Sequence, residues 1–422
     1  MTEVFIQQAI LTYPGHPLHN QVVDIWVNQG QIAAIANQLT PPANCPVITA
    51  EGLRVSPGFT DVFAHFNDPG HEEKETLETG ALAAAAGGYC RVLALPNTQP
   101  ALHNKAQIQY VVQKSRTLPV QVLPMGAISK NCEGKDLAEM YDMQQAGAVA
   151  FTDGTLPVQN SQLMLKALQY VKAFEGVVVQ IPDEQSLSRH GLMHEGLVST
   201  RLGLPGKPAL AETLLLARDI ELLRYTQSRL HVTGISTAAS VQLIRQAKQE
   251  GLQITASVAP YHLHFTHEAL SSYNTNLKVT PPLRTPEDVA AIKQALAEGT
   301  VDCIASHHLP HEWDSKTCEF EYARYGMAGL ETCLGALGAA LPSLSPEQVV
   351  ERMALAPAAI FGLPLPKLVV DESALLTLWQ YGATWTAQAD HLRGKSTNNA
   401  FIGQPLLHKP LGIVASNQYF VA

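Results

Sequence analysis

From residue 57 onward one unit recurs: a short apolar run, a loop, then a segment whose apolar residues have helical spacing. Apolar runs fall at 58–64, 91–95, 121–126, 148–151, 177–181, 229–233, 254–258 and 303–306. Helical patterns lie between most of them, as at 76–86, 104–116, 211–228, 238–251 and 287–298. Strands that alternate with helices in this way predict an α/β chain whose core is a parallel (β/α)8 barrel, in preference to an open sheet. The flanks read differently. Short strands broken by turns occupy 3–11, 21–27, 31–35, 47–49 and 54–56, with Gly30 placed for a hairpin. Short strands return after Leu363, at 368–371, 374–379 and 412–416. The expected division is a barrel over 56–363 and one small β domain made from 1–55 and 364–422. A chain of 422 residues with 46% hydrophobic content is long enough for both.

Charge and cysteine usage narrow the function classes. The net charge of −9 and a pI near 6.0, without any Lys/Arg run, argue against a nucleic-acid or anionic-membrane surface. Cys45, Cys90, Cys132, Cys303, Cys318 and Cys333 form no C-x-x-C pair and read as reduced thiols. No apolar run approaches a membrane span, and the first residues lack a charged-then-apolar leader. A cytoplasmic protein is expected.

In such a barrel the working residues follow the strand C-termini. Those positions hold Phe63, His65 and Asn67, then Asn97, Asp153, Gln180, Asp183 and Gly234. His262, Thr280, Arg284, His307, His308 and His311 complete the set. Two imidazoles spaced by two on one strand would share a cavity, because strand side chains alternate. Here the first of that pair of positions is Phe63, and a phenyl ring has no lone pair for a cation.

The ordered blocks resemble dihydroorotase of the amidohydrolase superfamily over nearly the whole chain. They include Asp68-Pro69-Gly70 with Lys74-Glu75-Thr76, Ala83-Ala84-Ala85-Ala86-Gly87-Gly88 and Pro96-Asn97-Thr98. Further on come His194-Glu195-Gly196, Gly203-Leu204-Pro205-Gly206, Pro281-Pro282-Leu283-Arg284 and Gly329-Leu330-Glu331-Thr332. The resemblance also implies where this chain departs. The family's His-x-His falls on Phe63 and His65. Its substrate-carboxylate arginine falls on Asn67, too short and neutral for a bidentate clamp. Its Asp-Asp-Gly keeps Asp153 and Gly154, its strand-five and strand-six histidines fall on Gln180 and Gly234, and its general-base aspartate falls on His307. Thr280 stands for an asparagine, while Asn97, a substrate-contacting position, is kept.

A hydrolytic zinc needs about three protein ligands and an open position. Of the implied set only His65 and Asp153 remain. The expectation is therefore a dihydroorotase-like pseudoenzyme of pyrimidine biosynthesis with no catalytic residues and no bound cofactor. It resembles the non-catalytic subunit found with some bacterial aspartate carbamoyltransferases, with Ser306-His307-His308, Pro310-His311-Glu312 and Asp314 as the associated block. That resemblance implies the transcarbamoylase catalytic subunit as partner, and the family analogy implies a homodimer. The alternative is an active cyclic-amide hydrolase using one zinc on a rearranged set such as His65, Asp153 and His307, or His65, His307 and His308. A third reading is a sensor of a pyrimidine intermediate through Asn97 and Arg284. Blander roles stand beside these: His65 a vestigial hydrogen-bonded ring, His308 and His311 loop residues held by backbone, His307 a space filler. Likewise, Asp153 would be a loop cap, His262 and His264 neighbours on one strand face, and the run from Glu72 to Glu75 a solvated helix start.

Overall fold

The computed structural model describes residues 3–415 and 418–421. Ser416, which ends the predicted 412–416 run, lies outside the described residues, as do Met1, Thr2, Asn417 and Ala422. The strands are β1 (Val4–Leu11), β2 (Val22–Asn28), β3 (Gln31–Ala36), β4 (Val47–Ile48), β5 (Leu53–Pro57), β6 (Phe59–Ala64), β7 (Tyr89–Ala94), β8 (Gln121–Pro124) and β9 (Val178–Gln180). There follow β10 (Met193–His194), β11 (Gly206–Lys207), β12 (Leu230–Thr233), β13 (Ile254–Val258), β14 (Cys303–Ile304), β15 (Leu375–Thr386), β16 (Pro405–Ala415) and β17 (Tyr419–Val421).

Strands β6, β7 and β8 pair in parallel, as do β9, β12, β13 and β14. The fourth barrel strand, predicted at 148–151, survives only as bridges from Phe151 to Gly126 and to Val178. Pro124 has no amide to donate at that seam, so Val149 N–H donates to its carbonyl without a return bond. Between the last strand and the first, the seam is closed by side chains as much as by ladder. Asp61 accepts from Ser306 N–H (2.6 Å) and Ser306 Oγ (2.8 Å), and His65 N–H donates to the His308 carbonyl (2.8 Å). The result is a barrel plugged by its own apolar layer: Phe63, Leu93, Leu95, Met125, Val177, Val179 and Ala305.

Both ends of the chain build one sheet in the order β17-β16-β15-β5-β1-β2-β3, with β4 beside β1. Strand β5 runs straight into β6, so β15, paired with β5, lies against the start of the barrel. There the buried Trp379 ring meets Phe59 at 6.0 Å, while Thr377 Oγ1 donates to Gly88 O and accepts from Phe59 N–H.

Several local readings need correction. The 368–371 run is not a strand: Leu368 (φ 53°) and Asp371 (φ 69°) take left-handed backbone at both ends of the four residues, which leaves no extended stretch to pair. His262 and His264 sit on a short helix, Pro260–His264, which Pro260 opens in its first turn. The first barrel helix spans Leu77–Ala86 with Thr76 as its cap, and Glu75 before it is fully buried where a solvated residue was expected. Helices Ser161–Lys172 and Cys333–Ala340 and the small β10–β11 pair were not foreseen. Among the described residues no helix is long and apolar enough to cross a membrane.

Candidate functional site

At the mouth, β6 delivers Phe63 into the interior and β14 delivers His307 opposite it. Their rings stack, with centroids 4.5 Å apart and planes at 26°. His307 is wholly buried, with φ 47°. Its Nε2 lies 2.8 Å from Thr233 Oγ1 at the end of β12, and its Nδ1 has no hydrogen-bond partner. Burial, with His262 and His231 nearby, pulls its pKa down to about 3, so the ring is neutral. Gly234, next along from Thr233, has φ 72°, and a Cβ built on it would lie 2.9 Å from His307 Cε1 and 3.1 Å from Pro281 Cδ.

Beneath His307 runs a directed chain of hydrogen bonds. Thr255 Oγ1 and Ser257 Oγ each lie 2.9 Å from a His231 ring nitrogen, and Ser257 Oγ donates to Thr233 Oγ1 (2.8 Å). That leaves the Thr233 proton for His307 Nε2. Thr233 falls among the positions that follow the sixth strand, while His231, Thr255 and Ser257 were missed from sequence, although polar residues at every second position of β12 and β13 mark one inward face.

The remaining mouth residues are engaged with their own loops. His65 Nε2–H donates to the Asn97 carbonyl (2.9 Å), and burial pulls its pKa down to about 3. Asn97 Nδ2 donates to Asp153 O (2.9 Å) and its Oδ1 accepts from Thr155 N–H (3.0 Å), so its amide ties two loops together. Asp153 accepts from Ser129 N–H (2.8 Å) and Ser129 Oγ (2.5 Å), one on each oxygen; burial raises its pKa to about 6. Gln180 accepts from Val158 N–H (3.2 Å) and donates to Asp219 (3.3 Å). Asn67 has φ 61° and points its amide back at the His65 carbonyl (3.4 Å).

Arg284 is buried beside Glu212 (3.4 Å), donates to Ser236 Oγ (2.9 Å) and lies 3.2 Å from His194 Nδ1. Glu212 in turn accepts from Ser236 and Thr237. His308 turns out of the mouth to lie 3.6 Å from Glu75 Oε2, and Leu330 N–H points at its Nδ1 (3.5 Å). His311 Nε2–H donates to the Tyr325 carbonyl (2.8 Å). His262 Nε2–H donates to the Pro281 carbonyl (2.9 Å). A contact missed from sequence crosses the rim: Lys207 Nζ donates to Asp183 (2.8 Å) and to Thr280 Oγ1 (3.1 Å). No single-sequence signal pairs those three.

Among the described residues, no three His, Cys, Asp or Glu side chains are placed to hold a metal ion together. In particular His65, Asp153 and His307 are not brought together: each is bonded to a different loop or strand. Their donors do not fit a hydrolytic zinc, which needs lone pairs converging on one point. What the arrangement does chemically is hold each ring and amide by hydrogen bonds to its own loop or strand, with ring nitrogens such as His307 Nδ1 left unpartnered.

A family model described as "Dihydro-orotase-like" matches residues 52–240. A protein named dihydroorotase from Geotalea daltonii is 41% identical over 407 residues, covering 96% of this chain and 95% of that one. Another of that name from Geobacter sulfurreducens is 43% identical over 394 residues, covering 91% of each. Among solved structures, the L-hydantoinase (dihydropyrimidinase) from Arthrobacter aurescens superposes with a TM-score of 0.85 at 23% identity, over all of this chain and 96% of that one. At that identity the likeness speaks for the barrel-plus-β-domain fold.

Proposed function

The chain belongs to the dihydroorotase-like family of the amidohydrolase fold, and within it we propose a catalytically silent member that serves pyrimidine biosynthesis by holding aspartate carbamoyltransferase catalytic subunits in a larger assembly. One observation carries the reading: the Phe63–His307 stack fills the position from which two ligands would reach a metal. The other candidate donors are committed elsewhere, His65 to Asn97, Asp153 to Ser129, and Gln180 to Val158 and Asp219. Opening a cyclic amide requires an activated water and a group to take its proton. A neutral imidazole with a pKa near 3, stacked on a phenyl ring, supplies neither.

An assembly role draws support from the loop after the eighth strand. Two buried ammonium groups stiffen it: Lys278 donates to the Phe320 and Glu321 carbonyls, Lys316 to those of Thr275 and Arg324. On that frame Trp313 and Tyr322 stand 72% and 75% exposed, the aromatic types that anchor interfaces. The identity of about 40% to proteins named dihydroorotase favours the second reading, a zinc-dependent cyclic-amide hydrolase.

Metal content, turnover and complex formation separate the two. The silent reading expects no stoichiometric zinc, no dihydroorotate hydrolysis and a defined complex with the transcarbamoylase on size-exclusion chromatography. About one zinc per chain, with chelator-sensitive turnover on the order of 1 s⁻¹ or more, would select the hydrolase.

A further inference from the structure

We propose that His307 is a steric plug, and that Phe63, Gly234 and His307 are one interdependent replacement whose members do not revert singly. The inference deepens the reading of the mouth given above and rests on it. Three observations place it. The His307 ring lies flat against Phe63, at 4.5 Å and 26°, so the phenyl supplies one wall of its slot. The Thr233 hydroxyl holds its edge at 2.8 Å, backed by Ser257, His231 and Thr255. The open side of the slot is position 234 itself, where a single added carbon would stand 2.9 Å from Cε1 and 3.4 Å from Nε2 of the ring.

A carbon–carbon approach of 2.9 Å lies inside van der Waals contact, and the ring is held on one face and at one edge. Phe63 blocks one face, and sliding away along the plane gives up the Thr233 bond. Any side chain at 234 therefore requires the imidazole to shift from its slot. Conversely, removing the imidazole alone opens a void between Phe63 and Gly234 and leaves the Thr233 proton unpaired. Histidine at 307 and the absence of a side chain at 234 thus demand each other. An imidazole at 234 would start from a Cβ 2.9 Å from His307 Cε1, so the present ring stands in its way.

A thermal-denaturation cycle on the full chain tests this with four proteins: wild type, Gly234→Ala, His307→Ala and the double variant. The left-handed backbone at 234 and the nearby Pro281 penalise alanine equally in both backgrounds, so they cancel in the cycle. The expected result is that Gly234→Ala lowers the midpoint by at least twice as much with His307 present as with His307→Ala. Equal shifts overturn the proposal. If Gly234→Ala fails to fold alone, folding of the double variant supports the plug, and failure of both counts against it.

A second measurement uses zinc sulfate as probe. Phe63→His/Gln180→His/Gly234→His is compared with the same protein carrying His307→Ala, which removes the ring without adding a donor, by metal content after desalting. About one zinc per chain only in the second protein is expected; equal loading of the two overturns the plug. Zinc and turnover in the wild type would end the silent reading whatever the cycle gives. An additive cycle in an inert wild type would end the plug and leave that reading in place.

Discussion

Buried neutral imidazoles set how this molecule meets acid. His231 and His307 are held down to about 3 and His262 to about 4, in each case chiefly by burial. An unfolded histidine titrates near 6.5, so below that pH the unfolded chain takes up protons that the folded one refuses. These groups therefore contribute stability that is complete above about pH 6.5 and is lost as pH falls toward their folded values. Each fully buried ring adds a slope of about 1.4 kcal/mol per pH unit. Asp153 and Asp219, raised to about 6 by burial, act oppositely and only below that value. Their stability is present at low pH and lost as pH rises through about 6, so they offset part of the histidine effect. The urea midpoint is expected to fall from pH 7 to pH 5, and His231→Gln to flatten that fall by about one proton; an unchanged slope would show that His231 is not held neutral. Residue type alone told that Phe63 and Gln180 cannot replace imidazoles. It did not tell where His307 would point, since its partners Thr233 and Gly234 are distant in the chain and nothing local joins them.

At the scale of elements, the connection between β15 and β16 acts as a strap from the β domain up to the barrel mouth. Glu331 accepts from Arg393 and Gly394 N–H, and Glu75 accepts from Lys395 N–H. Asn398 takes His311 N–H on its oxygen and donates to the Leu309 and Gly326 carbonyls, while Asn399 donates to Ala328 O and Thr332 Oγ1. Asn398→Ala should unpair those groups at a cost of about 1–3 kcal/mol. Hydrogen exchange should then quicken in residues 309–328 and stay unchanged in the helix Ala238–Gln249, a distribution that a general loosening would not give. The helices with clear amphipathic spacing and capping residues, such as Pro286–Glu298 behind Thr285, were legible in the sequence. Cys333–Ala340 was not, because its residues are nearly all apolar and buried and show no periodicity to read. The strap has no regular structure of its own over much of its length, so its role appears only in its hydrogen bonds.

For the whole molecule, barrel and β domain are one folding problem. The alternation of strand and helix made the barrel legible, and the return of short strands after residue 363 made the shared sheet legible. The depth of their union was not, because it rests on contacts between the two ends of the chain. Strand β5 pairs with β1 on one side and β15 on the other, and Trp379 seals the junction over Phe59. A chain ending at residue 363 should therefore not behave as a stable barrel. Expressed alone it is expected to aggregate or to melt without a cooperative transition, and a soluble product with a sharp melt would show that the barrel stands by itself. The strap adds an order of events. The rim-locking residues 393–399 follow every barrel strand in the chain, so until they emerge the nascent barrel has an open rim and, lacking β15, an unpaired edge beside β5. Such an interval invites chaperone capture, and it makes the synthesis of β15 and the strap the step on which closure of the rim depends.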